Sequence, residues 1–166
     1  MSQYRDCVMA GLCPKPDTGS RCNWGEEGRD NHPVNCVSKK LATAYCDSVG
    51  GRLPKASELM DEATQGGLWE YPWGEEKPSC LRAVMDDGGN GCGLSSTMAV
   101  CLKPKGISRK GVCDLVGNVA EWVADNDDSL LNEAWGGSWT DTNPKPKRGG
   151  SWRPYDLGIR CARDGE

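Results

Sequence analysis

The sequence predicts a small α+β domain with few regular elements and a disulfide-rich framework. Three observations carry this. Apolar residues recur at helical spacing only within the first 65 positions. Beyond Gly66 short apolar stretches are broken repeatedly, in a chain with 22 Gly and 10 Pro. Ten cysteines stand among 166 residues, and no two are spaced Cys-x-x-Cys.

The elements follow in order. Tyr4, Cys7, Val8 and Leu12 lie at helical spacing over 4–12, with Gly11 and Pro14 ending the helix. Residues 14–34 are polar and rich in Pro and Gly, hence a loop that Cys22 and Cys36 could pin. Ser38 is the N-cap of a second helix. Leu41, Ala44, Tyr45, Cys46 and Val49 share its inner face, and Gly50-Gly51 stops it. A third helix covers 55–65, with Leu59, Met60 and Ala63 inward. After it the chain reads as turns and short strands around Trp residues, such as the apolar run Val119 to Val123. Gly-Gly-Ser-Trp occurs at 136–139 and again at 149–152. Two copies of four residues are a recurrent turn-into-strand solution, not a repeat protein.

Composition narrows the function classes. The length fits one domain, residues 1–166. Twenty-four acidic against 20 basic side chains give a charge of −4 and a pI near 5.1. A phosphate-reading surface needs a basic excess, so no nucleic-acid partner is expected. No apolar run approaches the ~20 residues of a membrane helix. The opening Met1-Ser2-Gln3-Tyr4-Arg5-Asp6 is too polar for an export signal. Val, Leu and Ile sum to 24 and Phe is absent. That falls below the roughly 20% at which disorder is suspected, but disorder also needs a high net charge. Seven Trp and ten Cys point instead to a Trp-rich core with cross-links.

An even number of cysteines in a loop-rich chain implies disulfides and an oxidising compartment. Zinc or iron–sulfur ligation needs closely paired cysteines, and the single His32 offers them no partner. Ten cysteines allow about 900 pairings, and spacing leaves the choice open. Cys80 to Cys92 and Cys101 to Cys113 each enclose eleven residues. Such a protein is normally exported, so the missing leader suggests a trimmed chain or a fragment.

Several segments then line up in one order. They are His32-Pro33-Val34-Asn35-Cys36-Val37-Ser38, Ala44-Tyr45-Cys46, Gly51-Arg52-Leu53-Pro54 and Tyr71-Pro72-Trp73-Gly74. Gly117-Asn118-Val119-Ala120-Glu121-Trp122-Val123-Ala124-Asp125 follows. Arg148-Gly149-Gly150-Ser151-Trp152 and Leu157-Gly158-Ile159-Arg160-Cys161-Ala162-Arg163 close the series. Each motif is weak alone; in this order, over residues 4–163, the chain resembles the formylglycine-generating enzyme (sulfatase-modifying factor) family. The resemblance implies that family's variant of the C-type-lectin-like fold. The extra cysteines resemble a cysteine-rich bacterial branch, with secreted members.

The departures bear on activity. Active members of the family oxidise a sulfatase cysteine to formylglycine with copper, held by two cysteines just after the Gly-Gly-Ser-Trp/Tyr motif. Here Arg153, Pro154 and Tyr155 follow that motif, and Pro154 stands where the first cysteine would be. Only four residues separate Trp152 from Leu157, far fewer than in typical members. A Cu(I) site needs soft thiolates, and none is left there, so no catalytic residue is assigned. The helix after Arg52-Leu53-Pro54 also departs, with Ser57 to Met60 where the family has Glu and Trp. Typical members carry a longer N-terminal region whose strand pairs near the C-terminal strand. Without it, the last strand, around Leu157–Arg163, is expected to have an unpaired edge, open to a strand-pairing partner.

The resemblance also supplies candidate sites. It makes Asp114, Gly117, Val119 and Glu121 a calcium loop, with carboxylates from Asp114 and Glu121 and carbonyls from the other two. A second calcium site would fall in 83–92, where Ala83 replaces an Asn ligand but Asp86, Asp87 and Asn90 are near; a solvated acidic turn is the plainer reading. The family's linkage joins Cys46 to Cys161. Neighbour pairing then gives Cys7 with Cys13, Cys22 with Cys36, Cys80 with Cys92 and Cys101 with Cys113, although the first two pairs could exchange partners. Trp73, Trp122, Trp139 and Trp152 could line a groove but suit the core of a Phe-free chain better. His32 reads as a hydrogen-bonded structural residue, since no nucleophile accompanies it. Asp125, Asp127 and Asp128 read as a solvated face, and Lys145, Lys147 and Arg148 as a loop.

Two classes of function remain in view. The first is a non-catalytic extracytoplasmic binding or structural module with calcium as its ion and an unidentified protein or carbohydrate as ligand. It includes the resemblance to retroelement-diversified binding proteins, whose variable region would correspond to 132–160. The second is a formylglycine-generating oxidase needing copper or, in a relative, iron. A functionless fragment is the bland alternative.

Overall fold

The computed structural model describes residues 1–124, 133–147 and 153–165. Helices α1 (Ser2–Met9), α2 (Lys39–Ser48) and α3 (Ala56–Thr64) precede three short strands. These are β1 (Ala120–Trp122), β2 (Ala134–Trp135) and β3 (Leu157–Gly158). Single 3-10 turns lie at Pro104–Gly106 and Pro154–Asp156. No helix among the described residues is long and apolar enough to cross a membrane.

Each helix matches its expected place, and two inner faces need correction. In α1, Tyr4 and Cys7 are buried, but the helix ends at Met9 and Gly11 turns the chain at φ +73°. Cys13 thereby returns to Cys7, and Leu12, expected inside, stands exposed. Ser38 caps α2, its hydroxyl accepting from Leu41 N at 3.3 Å. Ala42 and Cys46 form the deepest part of the α2 face, flanked by Leu41 and Tyr45. Gly50 takes the left-handed stop at φ +71°, and Gly51 lets the chain pass against Ala162. In α3, Ala56, Leu59 and Ala63 point inward while Met60 is exposed: it stands at i+4 from Ala56, on the flank of the stripe these three define, where the core does not reach. Glu58 closes the first turn by accepting from Lys55 N at 2.7 Å.

The strands form one mixed sheet in the order β2-β1-β3. β1 is central, antiparallel to β2 and parallel to β3, with Glu121 opposite both Trp135 and Gly158. The expected strand over 157–163 is shorter: β3 is two residues long, and among the described residues the chain pairs again only at Ala162, with Arg52. Its free edge is correspondingly reduced, because Asn35 bridges Gly158 and Arg52 bridges Ala162.

The core is divided. The main cluster packs Tyr4, Val34, Val37, Leu53, Trp122 and Leu157 between α1, α2 and the sheet. A second joins α3 to Leu115 and Val123, and a third holds Ala83, Met85 and Val116. Five bridges tie these parts together: Cys7–Cys13, Cys22–Cys36, Cys46–Cys161, Cys80–Cys92 and Cys101–Cys113. Cys46–Cys161 spans 115 positions and fastens α2 to the C-terminal segment.

Candidate functional site

The segment after β3 borders three hollows of about 720, 330 and 240 Å³, and Ile159 lines all of them. The first two share Tyr45, the second and third share Pro33 and Val100, and the first and third share Arg160. Together they form a trough beside residues 159–161, between the two bridges that hold this segment.

The smallest hollow contains the chemistry. Asp114, Asn118, Val119, Glu121 and Arg160 line it, next to the Cys101–Cys113 bridge. Glu121 is 5% exposed, and Arg160 grips it with both arms of its fork, Nε to Oε2 at 2.7 Å and Nη2 to Oε1 at 2.6 Å. The same guanidinium donates to the Cys113 carbonyl at 2.8 Å. Burial pushes the Glu121 carboxyl up from its ordinary value, against the pull of Arg160. Asp114 sits at φ +53° and uses Oδ2 to accept from Cys101 N at 2.8 Å. Two carboxylates against one guanidinium leave this wall with an excess of one negative charge.

Of the four residues expected to hold calcium, Asp114, Gly117 and Val119 precede β1 and Glu121 lies within it; Asp114, Val119 and Glu121 line one hollow, and Gly117 does not. Each carboxylate oxygen can accept more than one partner, and Asp114 Oδ1 accepts no hydrogen bond from the described residues. Hard oxygen donors and excess negative charge fit a calcium ion. Only two acids contribute: among the described residues no group of three or more His, Cys, Asp or Glu side chains gathers. The remaining ligands would be carbonyls and water.

Other expectations resolve in place. In 83–92, Asp86 Oδ1 accepts from Gly89 N at 2.8 Å and Asp87 Oδ2 from Cys80 N at 3.2 Å, so both acids cap turns. His32 Nδ1 meets Thr97 Oγ1 at 2.8 Å and Arg29 Nη1 at 3.1 Å. An arginine can only donate, so this nitrogen accepts and the ring is neutral. Burial, then the Arg29 charge, lower its pKa to about 4. Trp122 and Trp139 are buried, whereas Trp73 stacks on Tyr71 at 5.1 Å and is partly open. Lys145 and Lys147 lie outside helix and strand, as expected of a loop, and Lys145 pairs with Glu70 at 2.6 Å. Pro154, where the resemblance places a copper-binding cysteine, opens a 3-10 turn into β3. Asp125, Asp127, Asp128, Arg148 and Trp152 lie outside the described residues.

The sequence reading missed Arg160 as the partner of Glu121, and it missed the buried asparagines. Asn118 Nδ2 donates to the Met98 carbonyl at 3.2 Å, while its Oδ1 accepts from Met98 N at 3.1 Å. Asn35 Oδ1 accepts from Asn23 N at 2.7 Å. A chain with so little helix and sheet must satisfy its buried backbone groups with side chains. An Asn inside an apolar motif, as in Val34-Asn35-Cys36 and Gly117-Asn118-Val119, was the available signal.

Comparison with known proteins agrees with this architecture. Residues 1–166 match the sulfatase-modifying factor enzyme 1-like domain. The chain is 37% identical over 110 residues to a formylglycine-generating enzyme of Thermomonospora curvata, covering 58% of this chain and 34% of that protein. It is 31% identical over 156 residues to the formylglycine-generating enzyme of Mus musculus, covering 81% and 40%. The chain thus spans well under half the length of these curated relatives. The crystal structure of CarF superposes with a TM-score of 0.71 at 19% identity, covering 99% of this chain and 81% of that one, a likeness of fold. Matched along its whole length, the chain belongs to the sulfatase-modifying factor (formylglycine-generating enzyme) family.

Proposed function

We infer that this protein is a non-catalytic, extracytoplasmic binding module on the formylglycine-generating-enzyme fold, stabilised by calcium at the Asp114–Glu121 loop. The observation that carries the reading is the sulfur inventory. All ten cysteines lie in bridges, none is free, and position 154 is proline. A copper oxidase of the family's type needs two thiolates, and this chain has none to give. Five bridges suit an oxidising compartment. The trough beside residues 159–161 would take the partner: an extended segment of a protein ligand could lie there and pair with the free stretch of edge.

The relatives named formylglycine-generating enzyme support the rival reading, an oxidase of sulfatase cysteine. Incubation with a Cys-x-Pro-x-Arg peptide, copper and oxygen separates the two. We expect no formylglycine by mass spectrometry; turnover above a copper blank would overturn the binding reading. Calcium is tested by melting with chelator and with millimolar calcium. Saturation to about 100 times Kd adds about 2.7 kcal/mol. We expect a raised Tm in the wild type and none in Asp114→Ala. The same rise in both would remove calcium from this loop.

A further inference from the structure

We propose that Arg21, Tyr155 and Arg153 form a binding site for a tetrahedral oxyanion, the sulfate or phosphate group of an ester. The site is separate from the trough and the Asp114–Glu121 loop, and the inference does not depend on the reading of either. Arg21 Nη1 donates to the Tyr155 hydroxyl at 3.0 Å, and Arg153 Nη1 donates to the same oxygen at 2.5 Å. Two donors fill the acceptor positions of the phenol, so its own O–H is left to donate outward. The Arg21 guanidinium carbon lies 5.0 Å from the Tyr155 ring centre and that of Arg153 lies 5.8 Å from it.

Two cations therefore meet at one oxygen, and neither forms an ion pair with a carboxylate of the described residues. Arg5, Arg52, Arg82 and Arg160 do, while Arg29, Arg109 and Arg163 donate to neutral acceptors elsewhere. Asp156, whose charge acts on Arg153, is buried and turned inward. Its Oδ1 accepts from Ser138 and Thr140 at 3.2 and 2.9 Å, and its Oδ2 accepts the backbone N–H of Arg153 at 3.2 Å. Asp156 offsets part of the Arg153 charge from behind, and the pair still presents a net positive charge in a protein whose net charge is −4.

The arrangement is held in advance. Arg21 adopts φ +74°, a left-handed backbone that costs a non-glycine residue free energy and persists only where its surroundings fix it. Asn35, fully buried, does the fixing: its Nδ2 donates to the Arg21 carbonyl at 2.8 Å and to the Tyr155 carbonyl at 3.0 Å. Trp139 Nε1 adds a third hydrogen bond, to the Tyr155 carbonyl at 3.2 Å. The Cys22–Cys36 bridge locks the neighbours of Arg21 and Asn35 together. One buried amide thus sets the spacing of two surface residues 134 positions apart. Each guanidinium spends Nη1 on the phenol and keeps further N–H groups open. A single fork already satisfies a planar carboxylate. Two forks and a phenol O–H offer donors and charge that match a dianion with three or four oxygens. The exposed edge of the Tyr155 ring would carry the organic part of the ester.

The test is an NMR titration of the full chain at pH 7, following arginine side-chain N–H groups and the Tyr155 ring. Phenyl sulfate, phenyl phosphate, inorganic sulfate and acetate serve as probes, with ionic strength held by sodium chloride. We expect saturable shifts at Arg21, Arg153 and Tyr155 with the sulfur and phosphorus probes, and the tighter phenyl ester names the ligand's source. Arg153→Gln, an exposed change, should weaken sulfate about tenfold, as loss of one charge-assisted hydrogen bond implies, and Arg5→Gln should leave it unchanged. Tyr155→Phe removes the outward donor and should weaken it severalfold. Shifts that grow linearly with every salt, acetate bound as tightly as sulfate, or a folded Arg153→Gln that binds sulfate like wild type would each overturn the proposal.

Discussion

His32 shows how a single environment decides a residue's role. It is the chain's one histidine, so its titration can be read without assignment ambiguity. Burial and the Arg29 charge lower its pKa to about 4, against 6.5 for an unperturbed ring. The unfolded chain therefore takes up a proton near pH 6.5 and the folded one only near pH 4. Between those values the unfolded state binds more protons, so stability falls as pH drops through the window and is level above it. The ring is partly open, and the loss should be of order 2 kcal/mol once solvent screening is allowed for. Proton NMR should find the ring neutral at pH 5.5, and denaturant melts should show less stability at pH 4 than at pH 7. A midpoint near 6.5 would mean that the contact with Thr97 and Arg29 does not form. A structural role for His32 was legible in the sequence, because no nucleophile travels with it. Its partners were not, since Thr97 lies 65 positions away in a stretch without periodicity.

At the scale of elements, the helices were readable because 3.6-residue spacing is a local property. Their two misplaced side chains, Leu12 and Met60, failed for different reasons. Leu12 lost its place because α1 ends at Met9 and Gly11 turns the chain back towards Cys7, whereas Met60 lay on the flank of a narrow apolar stripe. The C-terminal strand was overestimated because its pairing is set by distant segments at Asn35 and Arg52. The stop after α2 is where local and distant demands meet. Gly50 answers the local one with φ +71°. Gly51 answers the distant one, since a Cβ there would lie 2.7 Å from the Ala162 carbonyl oxygen. That oxygen accepts from Arg52 N at 2.9 Å, so it cannot retreat without opening the bridge. Gly51→Ala should cost about 1–3 kcal/mol, the usual range for overpacking. A change below 0.5 kcal/mol in chemical denaturation would show that the junction yields freely.

For the whole molecule, the question is what replaces the aliphatic core that the composition lacks. Among the described residues three separate clusters bury a modest set of side chains, and the bridges must hold the clusters to one another. Four bridges are local, closing 6 to 14 positions, and each stiffens a single loop. Cys46–Cys161 closes 115 positions, enclosing α3, the sheet's β1–β2 pair and both smaller clusters. On the chain-entropy account, a loop of that size restricts the unfolded chain by about 5 kcal/mol, against about 2 kcal/mol for the six-position loop of Cys7–Cys13. Cys7, Cys13 and Cys46 are all at least nine-tenths buried and Cys161 is partly so, hence replacing either pair by alanine removes comparable packing. The contrast between the two double variants therefore isolates the loop. We expect Cys46→Ala with Cys161→Ala to lose about 3 kcal/mol more than Cys7→Ala with Cys13→Ala in guanidinium unfolding. Equal losses would mean that α2 and the C-terminal segment are held by the Arg52–Ala162 pairing and by Arg163, which donates to the Val49 carbonyl at 2.5 Å. In that case the bridge would record the fold rather than stabilise it, and the clusters would cohere through backbone pairing alone.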